Sequence, residues 1–128
     1  MATVLIIEDD KDFRTGLADQ LKKDGYDVLE AENGQSGFET ALAKKPDMIL
    51  LDYFIPQLNG IQVLKKLRQD KWGKTAKVMV ITSMTDNEQT MSAQQYGISD
   101  FLIKVDWTFS DISARIQKQL SVSNTPST

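Results

Sequence analysis

Four short apolar runs constrain the fold of this 128-residue chain more than any other feature of its sequence. None of them alternates with polar residues, so both faces of each predicted strand are expected to be buried, as in a parallel sheet covered by helices. A fifth segment, at residues 26–31, is more mixed in polarity, which is typical of an edge strand. The four apolar runs lie at residues 4–7, 48–51, 78–81 and 101–103.

Amphipathic helical patterns separate these runs. Apolar residues recur every four positions from Phe13 to Leu21 and predict a first helix that ends at Asp24-Gly25. Strand and helix then alternate five times, which predicts right-handed crossovers and a doubly wound α/β domain over residues 1–121. Residues 122–128 are rich in Ser, Thr, Pro and Asn and are expected to form a free end or a linker. The other predicted helices lie near residues 38–45, 61–67, 86–96 and 109–120.

The composition excludes several kinds of chemistry. The absence of cysteine rules out disulfides, and the absence of histidine removes the usual zinc ligand and the Ser-His and Cys-His nucleophile pairs. The net charge of −3 offers no electrostatic footprint for nucleic acid or an acidic membrane surface. The sequence shows no secretory signal and no bilayer-length apolar stretch, so a cytoplasmic location is expected.

Polar and charged residues collect where the predicted strands end. Ligands of open α/β sheets bind at the carboxyl ends of the strands, so these side chains are expected to share one edge of the sheet. Clustered carboxylates repel one another, and a hard divalent cation such as Mg²⁺ removes that cost. The residues concerned are Glu8, Asp9, Asp10, Asp52, Thr82, Ser83 and Lys104.

Each of these residues also has a simpler interpretation. Asp9 or Asp10 could cap the first helix, although three consecutive acids exceed what capping requires. Asp52 could attack phosphorus and form an aspartyl phosphate, or it could be an ordinary polar strand end. Thr82 and Lys104 taken alone are a β-branched strand residue and a surface lysine. Their shared edge is what favours a metal and phosphoryl site.

The segments that carry these residues resemble the receiver domain of two-component response regulators. The resemblance covers about residues 3–121 and rests on VLIIEDD, LLDYFIPQLNG, VMVITS and GISDFLIK, which occur in that order. It implies a flavodoxin-like (βα)5 fold with five parallel strands in the order 2-1-3-4-5. It also implies two requirements on the structure: Asp9 and Asp52 must be close enough to share one ion, and Asp52 must reach solvent.

The resemblance assigns a role to each matching residue of the metal site. Glu8 and Asp9 would form the acidic pair, with Asp9 as the direct Mg²⁺ ligand. Asp52 would be the phosphoacceptor, and the backbone carbonyl of Phe54 would complete the protein ligands of the metal.

The remaining roles concern the conformational switch. Thr82 would be the switch hydroxyl, Phe101 the switch aromatic and Lys104 the phosphate-facing lysine. The sequence departs from the family at Val105, where proline in a cis peptide is usual. A cis bond before a non-proline residue costs about 2.5–4 kcal/mol, so a trans bond is expected there.

The implied function is signalling by phosphoryl transfer. A sensor histidine kinase or a histidine phosphotransfer protein would supply the phosphoryl group, and the face formed by the fourth helix, fifth strand and fifth helix would change shape. The domain would be regulatory, catalysing its own phosphorylation and dephosphorylation, without binding nucleic acid or membrane itself. A downstream effector, a covalently linked output domain or a phosphorylation-dependent dimer would carry the output.

Two alternatives remain open from the sequence. One is an adaptor that keeps the receiver fold without phosphorylation, which the intact set of acids, threonine and lysine disfavours. The other is an aspartate-nucleophile phosphatase. Such enzymes usually carry a second acid two residues after the nucleophile, and this chain has Phe54 at that position.

Overall fold

The apolar runs form the strands of one parallel sheet. The computed structural model describes residues 2–83 and 92–121. Within these ranges five strands pair in the order β2-β1-β3-β4-β5, which confirms the predicted order and places the mixed second strand at an edge. The strands are β1 (Thr3–Ile7), β2 (Asp27–Ala31), β3 (Met48–Asp52), β4 (Val78–Thr82) and β5 (Asp100–Ile103).

The helices overlap the predicted segments, although the second begins at Gly34, four residues before its predicted start. The first one follows an Asp10 N-cap, whose side chain accepts a hydrogen bond from the Phe13 backbone N–H. Residues 92–94 are helical, but most of the predicted helix at 86–96, like the tail at 122–128, lies outside the described residues. The helices are α1 (Lys11–Lys23), α2 (Gly34–Lys44), α3 (Gly60–Gln69) and the C-terminal helix (Phe109–Leu120).

Two apolar layers enclose the sheet because successive side chains of a strand point to opposite faces. On one face, Leu5, Ile49 and Val80 pack in the same core cluster as Val63 and Leu67 of α3. The other face packs against α1 and the C-terminal helix. Its buried core comprises Val4, Ile6, Leu17, Ala18, Leu21, Met48, Leu50, Met79, Ile81, Leu102, Ile112 and Ile116.

The strand register brings the functional ends of the strands together. Ile7 pairs with Leu51, and Asp52 pairs with Ile81, so the residues after β1 and the last residues of β3 and β4 share one edge. Thr82 pairs with Ile103, which places Lys104 at the same edge. The parallel register thus produces the clustering that the sequence predicts.

The peptide bond after Lys104 has the geometry expected from the sequence. All described peptide bonds are trans, including the one between Lys104 and Val105. Lys104–Asp106 form a short 3-10 turn, and Trp107 packs against the core beside the C-terminal helix. Among the described residues, none of the helices has the length and apolarity needed to span a membrane.

Candidate functional site

Three carboxylates from two strand ends converge at the carboxyl edge of the sheet. One oxygen each from Glu8, Asp9 and Asp52 can be chosen so that all three lie within 4.8 Å of one another. We call this set the acidic pocket. Its dimensions meet the requirement that Asp9 and Asp52 be close enough to share one ion.

The acidic pocket has a buried floor and an exposed rim. Glu8 is 1% exposed and the side chain of Asp52 is 7% exposed, whereas Asp9 is largely exposed. The Phe54 backbone N–H donates to Asp52 Oδ1 over 3.3 Å, and the Asp10 N–H donates to Glu8 Oε2 over 3.2 Å. These bonds orient the floor carboxylates, and Asp52 keeps a narrow opening to solvent.

Lys104 is the cation of this site. Its Nζ forms an ion pair with Glu8 Oε1 and lies 3.2 Å from Asp52 Oδ2. The sequence predicted that Lys104 shares an edge with Asp52, but it did not predict the contact with Glu8. Three carboxylates therefore face one ammonium group among the described residues, which leaves negative charge uncompensated when all are ionised.

This charge imbalance shifts the protonation equilibria. Burial raises the pKa of Glu8, and the hydrogen bond and negative charge of Asp52 raise it further. Partial burial and the neighbouring Glu8 raise the pKa of Asp9. Burial by itself would lower the pKa of Lys104, but its bonds and charge interactions with Glu8 and Asp52 outweigh burial and raise it. The site therefore favours additional positive charge.

The donor set fits Mg²⁺. The acidic pocket presents only oxygen ligands, and a hard dication supplies the charge that these carboxylates lack. Glu8, Asp9 and Asp52 would hold the ion.

The raised pKa of Glu8 predicts how the stability of the metal-free domain depends on pH. A folded-state pKa above the ordinary value of 4.5 means that protonating Glu8 favours the folded state. This contribution is fully present below pH 4.5 and is lost as pH rises through the raised folded-state pKa. The unfolding free energy of the wild type should therefore decline as pH rises above 4.5. We expect Glu8→Gln to remove the part of this decline that Glu8 causes, as measured by urea unfolding without metal. Parallel pH profiles for the two proteins would contradict the shift.

Thr82 and Phe101 lie on the neighbouring strands. Thr82 is fully buried as the last residue of β4, and Phe101 is half-buried on β5, packed against the core cluster that contains Val80. A hydroxyl group and an aromatic ring therefore lie on β4 and β5, the two strands that follow the Asp52 strand in the sheet. The switching roles of both residues remain predictions.

Two residues contact the site in ways that the sequence did not predict. Arg14 Nη1 donates to the Glu8 backbone carbonyl over 2.7 Å, and Arg14 Nε pairs with Glu30 of β2. The Phe13 ring lies beneath Lys104, with 4.4 Å between Nζ and the ring centroid. Phe13 was predicted only as an apolar helix position, since a contact between α1 and the loop after β5 leaves no periodic signal.

Known proteins share this fold and this sequence pattern. Residues 4–117 match the response regulator receiver domain. Response regulator ArlR of Staphylococcus saprophyticus is 30% identical over 120 residues, which cover 94% of this chain and 53% of that protein. The phosphate regulon transcriptional regulatory protein PhoB of Pseudomonas aeruginosa is 30% identical over 102 residues, which cover 80% of this chain and 44% of that protein.

A solved receiver-domain structure has the same fold as this chain. The signal receiver domain of NarL from Mycobacterium tuberculosis is 29% identical, with a TM-score of 0.85 and coverage of 93% of this chain and 95% of that one. The chain spans about half the length of the curated relatives it matches. Receiver domains are regulatory and generally bind Mg²⁺ at an acidic pocket. The chain belongs to the response regulator receiver domain family of two-component systems, whose general function is phosphoryl transfer to an aspartate.

Proposed function

We propose that Asp52 is the phosphoacceptor of this domain and that a phosphohistidine on a partner protein is the donor. The observation that carries the proposal is the convergence of Glu8, Asp9 and Lys104 on Asp52 at one sheet edge. An Asp52 oxygen would attack phosphorus in line, and the bond from phosphorus to the histidine nitrogen would break with its electron pair moving to the imidazole.

The residues around Asp52 would position the reactants and balance charge. Glu8, Asp9 and Asp52, with the Phe54 backbone carbonyl, would hold Mg²⁺, which when bound neutralises charge on the phosphoryl oxygens. Lys104 already contacts Asp52 and would pair with the phosphoryl group. Pre-positioned charge of this kind is the main contribution of a protein to phosphoryl transfer.

The phosphorylated aspartate would then shift the domain between two conformations. The new group brings about −1.5 to −2 charge and strong acceptor oxygens. Thr82 would move toward it, and Phe101 would turn into the vacated space. The output face, formed by the fourth predicted helix, β5 and the C-terminal helix, would change shape as the population shifts.

The partners follow from the family. Relatives work with histidine kinases and output domains, so we propose a sensor kinase or histidine phosphotransfer protein as donor. A separate effector, a covalently linked output domain or a phosphorylation-dependent dimer would receive the signal in the cytoplasm. The net charge of −3 disfavours direct nucleic-acid binding by this domain.

Incubation with Mg²⁺ and acetyl phosphate tests the proposal. We expect intact mass to increase by one phosphoryl group and peptide mapping to place that group on Asp52. Asp52→Asn should abolish the modification because an amide oxygen is a poor nucleophile, whereas Asp19→Asn, which alters an exposed residue of α1, should react normally. Modification that survives in Asp52→Asn would overturn the assignment.

The same preparation separates the alternatives. Steady release of phosphate from a small phosphomonoester would instead indicate a phosphatase. An unmodified wild-type protein that still binds its partner would indicate an adaptor. The proposed function predicts neither result.

A further inference from the structure

Lys104 has one partner in the site that carries no charge. Its Nζ contacts Glu8 and Asp52 on one side, and the Phe13 ring lies on another, 4.4 Å away at the centroid. That separation falls well within the range in which an ammonium group is attracted to the face of an aromatic ring. The Lys104 side chain is 16% exposed, so water screens this attraction weakly.

The position of the Phe13 ring is fixed by two helices. The backbone N–H of Phe13 donates to the Asp10 side chain in the first turn of α1. Its ring meets Phe109 of the C-terminal helix edge-to-face, with centroids 5.2 Å apart and an interplanar angle of 69°. A β-carbon at Gly16 would overlap the Phe109 ring, so glycine at this position allows the aromatic pair to form.

The residue after Lys104 is exposed. The next side chain, Val105, is 84% exposed and stands where the family usually has proline. The Trp107 N–H donates a hydrogen bond of 3.3 Å to the Lys104 carbonyl. The ammonium group itself contacts Glu8, Asp52 and the Phe13 ring, and these contacts set its direction.

We propose that Phe13 is a positioning residue that keeps the Lys104 ammonium over the acidic pocket throughout phosphorylation, an inference that rests on the proposed function. In that reaction Glu8 and Asp52 would hold a metal ion and Asp52 would become esterified, so both carboxylate partners of Lys104 would change. The Phe13 ring neither binds Mg²⁺ nor reacts, so it can attract the Lys104 ammonium group at every stage.

Three variants test this role through the phosphorylation rate with acetyl phosphate and Mg²⁺. Phe13→Leu keeps an apolar side chain but loses the aromatic face, and we expect the rate to fall about twofold to thirtyfold, the range given by one cation–π contact. Phe13→Tyr keeps the face and should restore the wild-type rate. Phe38→Leu is the matched control, because the Phe38 ring carries Lys66 at 4.9 Å outside the acidic pocket and its loss should leave the rate unchanged.

A double-mutant comparison shows whether Phe13 acts through Lys104. In a Lys104→Met background, Phe13→Leu should cause no further loss of rate. An equal loss with and without Lys104 would reveal a purely structural effect and overturn the inference. If wild type and Phe13→Leu react at the same rate, the inference also fails. An unreactive wild-type protein would instead contradict the proposed function.

Proton NMR provides a readout that does not depend on activity. Lys104 Nζ lies over the face of the Phe13 ring, so the methylene protons next to Nζ should show an upfield ring-current shift. We expect the shift in wild type and Phe13→Tyr, its loss in Phe13→Leu, and its persistence when Mg²⁺ alone is added. Disappearance of the shift on adding Mg²⁺ would show that the ring does not retain the lysine, and would overturn the inference.

Discussion

Replacing Lys104 with methionine is expected to lower the unfolding free energy of the metal-free domain by about 3 kcal/mol. Methionine keeps the apolar stem of the side chain but removes the ammonium group shared by Glu8 and Asp52. Both carboxylates are almost fully buried, so neither gains enough water to replace its lost partner. Removing one member of a buried ion pair is costly mainly because the other member stays behind uncompensated. Urea unfolding without metal measures the loss.

The pH and metal dependence of this loss identify its cause. Protonation of Glu8, whose pKa is already raised, relieves the repulsion, so the difference between variant and wild type should shrink as pH falls toward 4.5. Mg²⁺ should restore part of the stability, since it brings positive charge to the acidic pocket. Lys65→Met, on the exposed side of α3, should unfold like wild type. If the unfolding free energy lost in Lys104→Met changed with neither pH nor Mg²⁺, the cause would be lost packing rather than lost charge.

The position of the acidic pocket was predictable because it follows from local rules. Uninterrupted apolar runs define parallel strands, and the residue after each run must lie at the carboxyl edge. Glu8, Asp52 and Lys104 are therefore placed by strand ends alone. The order of the strands was implied by the resemblance to receiver domains, since alternation of strands and helices fits several orders.

The contacts within the site were harder to predict. The Lys104–Glu8 ion pair joins residues 96 positions apart, and its existence depends on side-chain directions that strand ends do not specify. Phe13 occupies a helix position with ordinary apolar spacing, so its contact with a cation is invisible without the tertiary structure. Asp10 illustrates the opposite case, because capping before a helix is a local rule and the structure confirms it.

Arg68 is the clearest example of a residue whose role the sequence conceals. It lies in the last turn of α3, and its guanidinium donates four hydrogen bonds to backbone carbonyls, a type of partner that has no residue signature. Two of these carbonyls belong to the loop before β4, and two belong to the turn before β5. The acceptors are Gly73 at 2.6 Å, Ala76 at 2.9 Å, Tyr96 at 2.6 Å and Gly97 at 3.1 Å.

Arg68→Met is expected to lower the unfolding free energy by about 2–3 kcal/mol. Burial lowers the pKa of Arg68, but the group stays charged at neutral pH, so its bonds are charge-assisted and partly desolvated. Methionine fills the space of the stem but removes the four hydrogen bonds that the guanidinium donates to these carbonyls. The turn before β5 should loosen first, and hydrogen exchange at the Ser99 amide, which bonds to the Val78 carbonyl, should accelerate.

Two further variants show whether geometry or charge accounts for the loss at Arg68. Arg68→Lys keeps the charge but lacks the planar fork that reaches two loops at once, so it should recover less than half of the lost stability. Arg115→Met removes a partly exposed arginine that pairs with one carboxylate, Asp100, and it should cost far less. Full recovery by lysine would contradict the geometric argument, because a single ammonium group would then suffice to hold both loops. Unchanged exchange at Ser99 in Arg68→Met would show that the turn before β5 is held by other contacts.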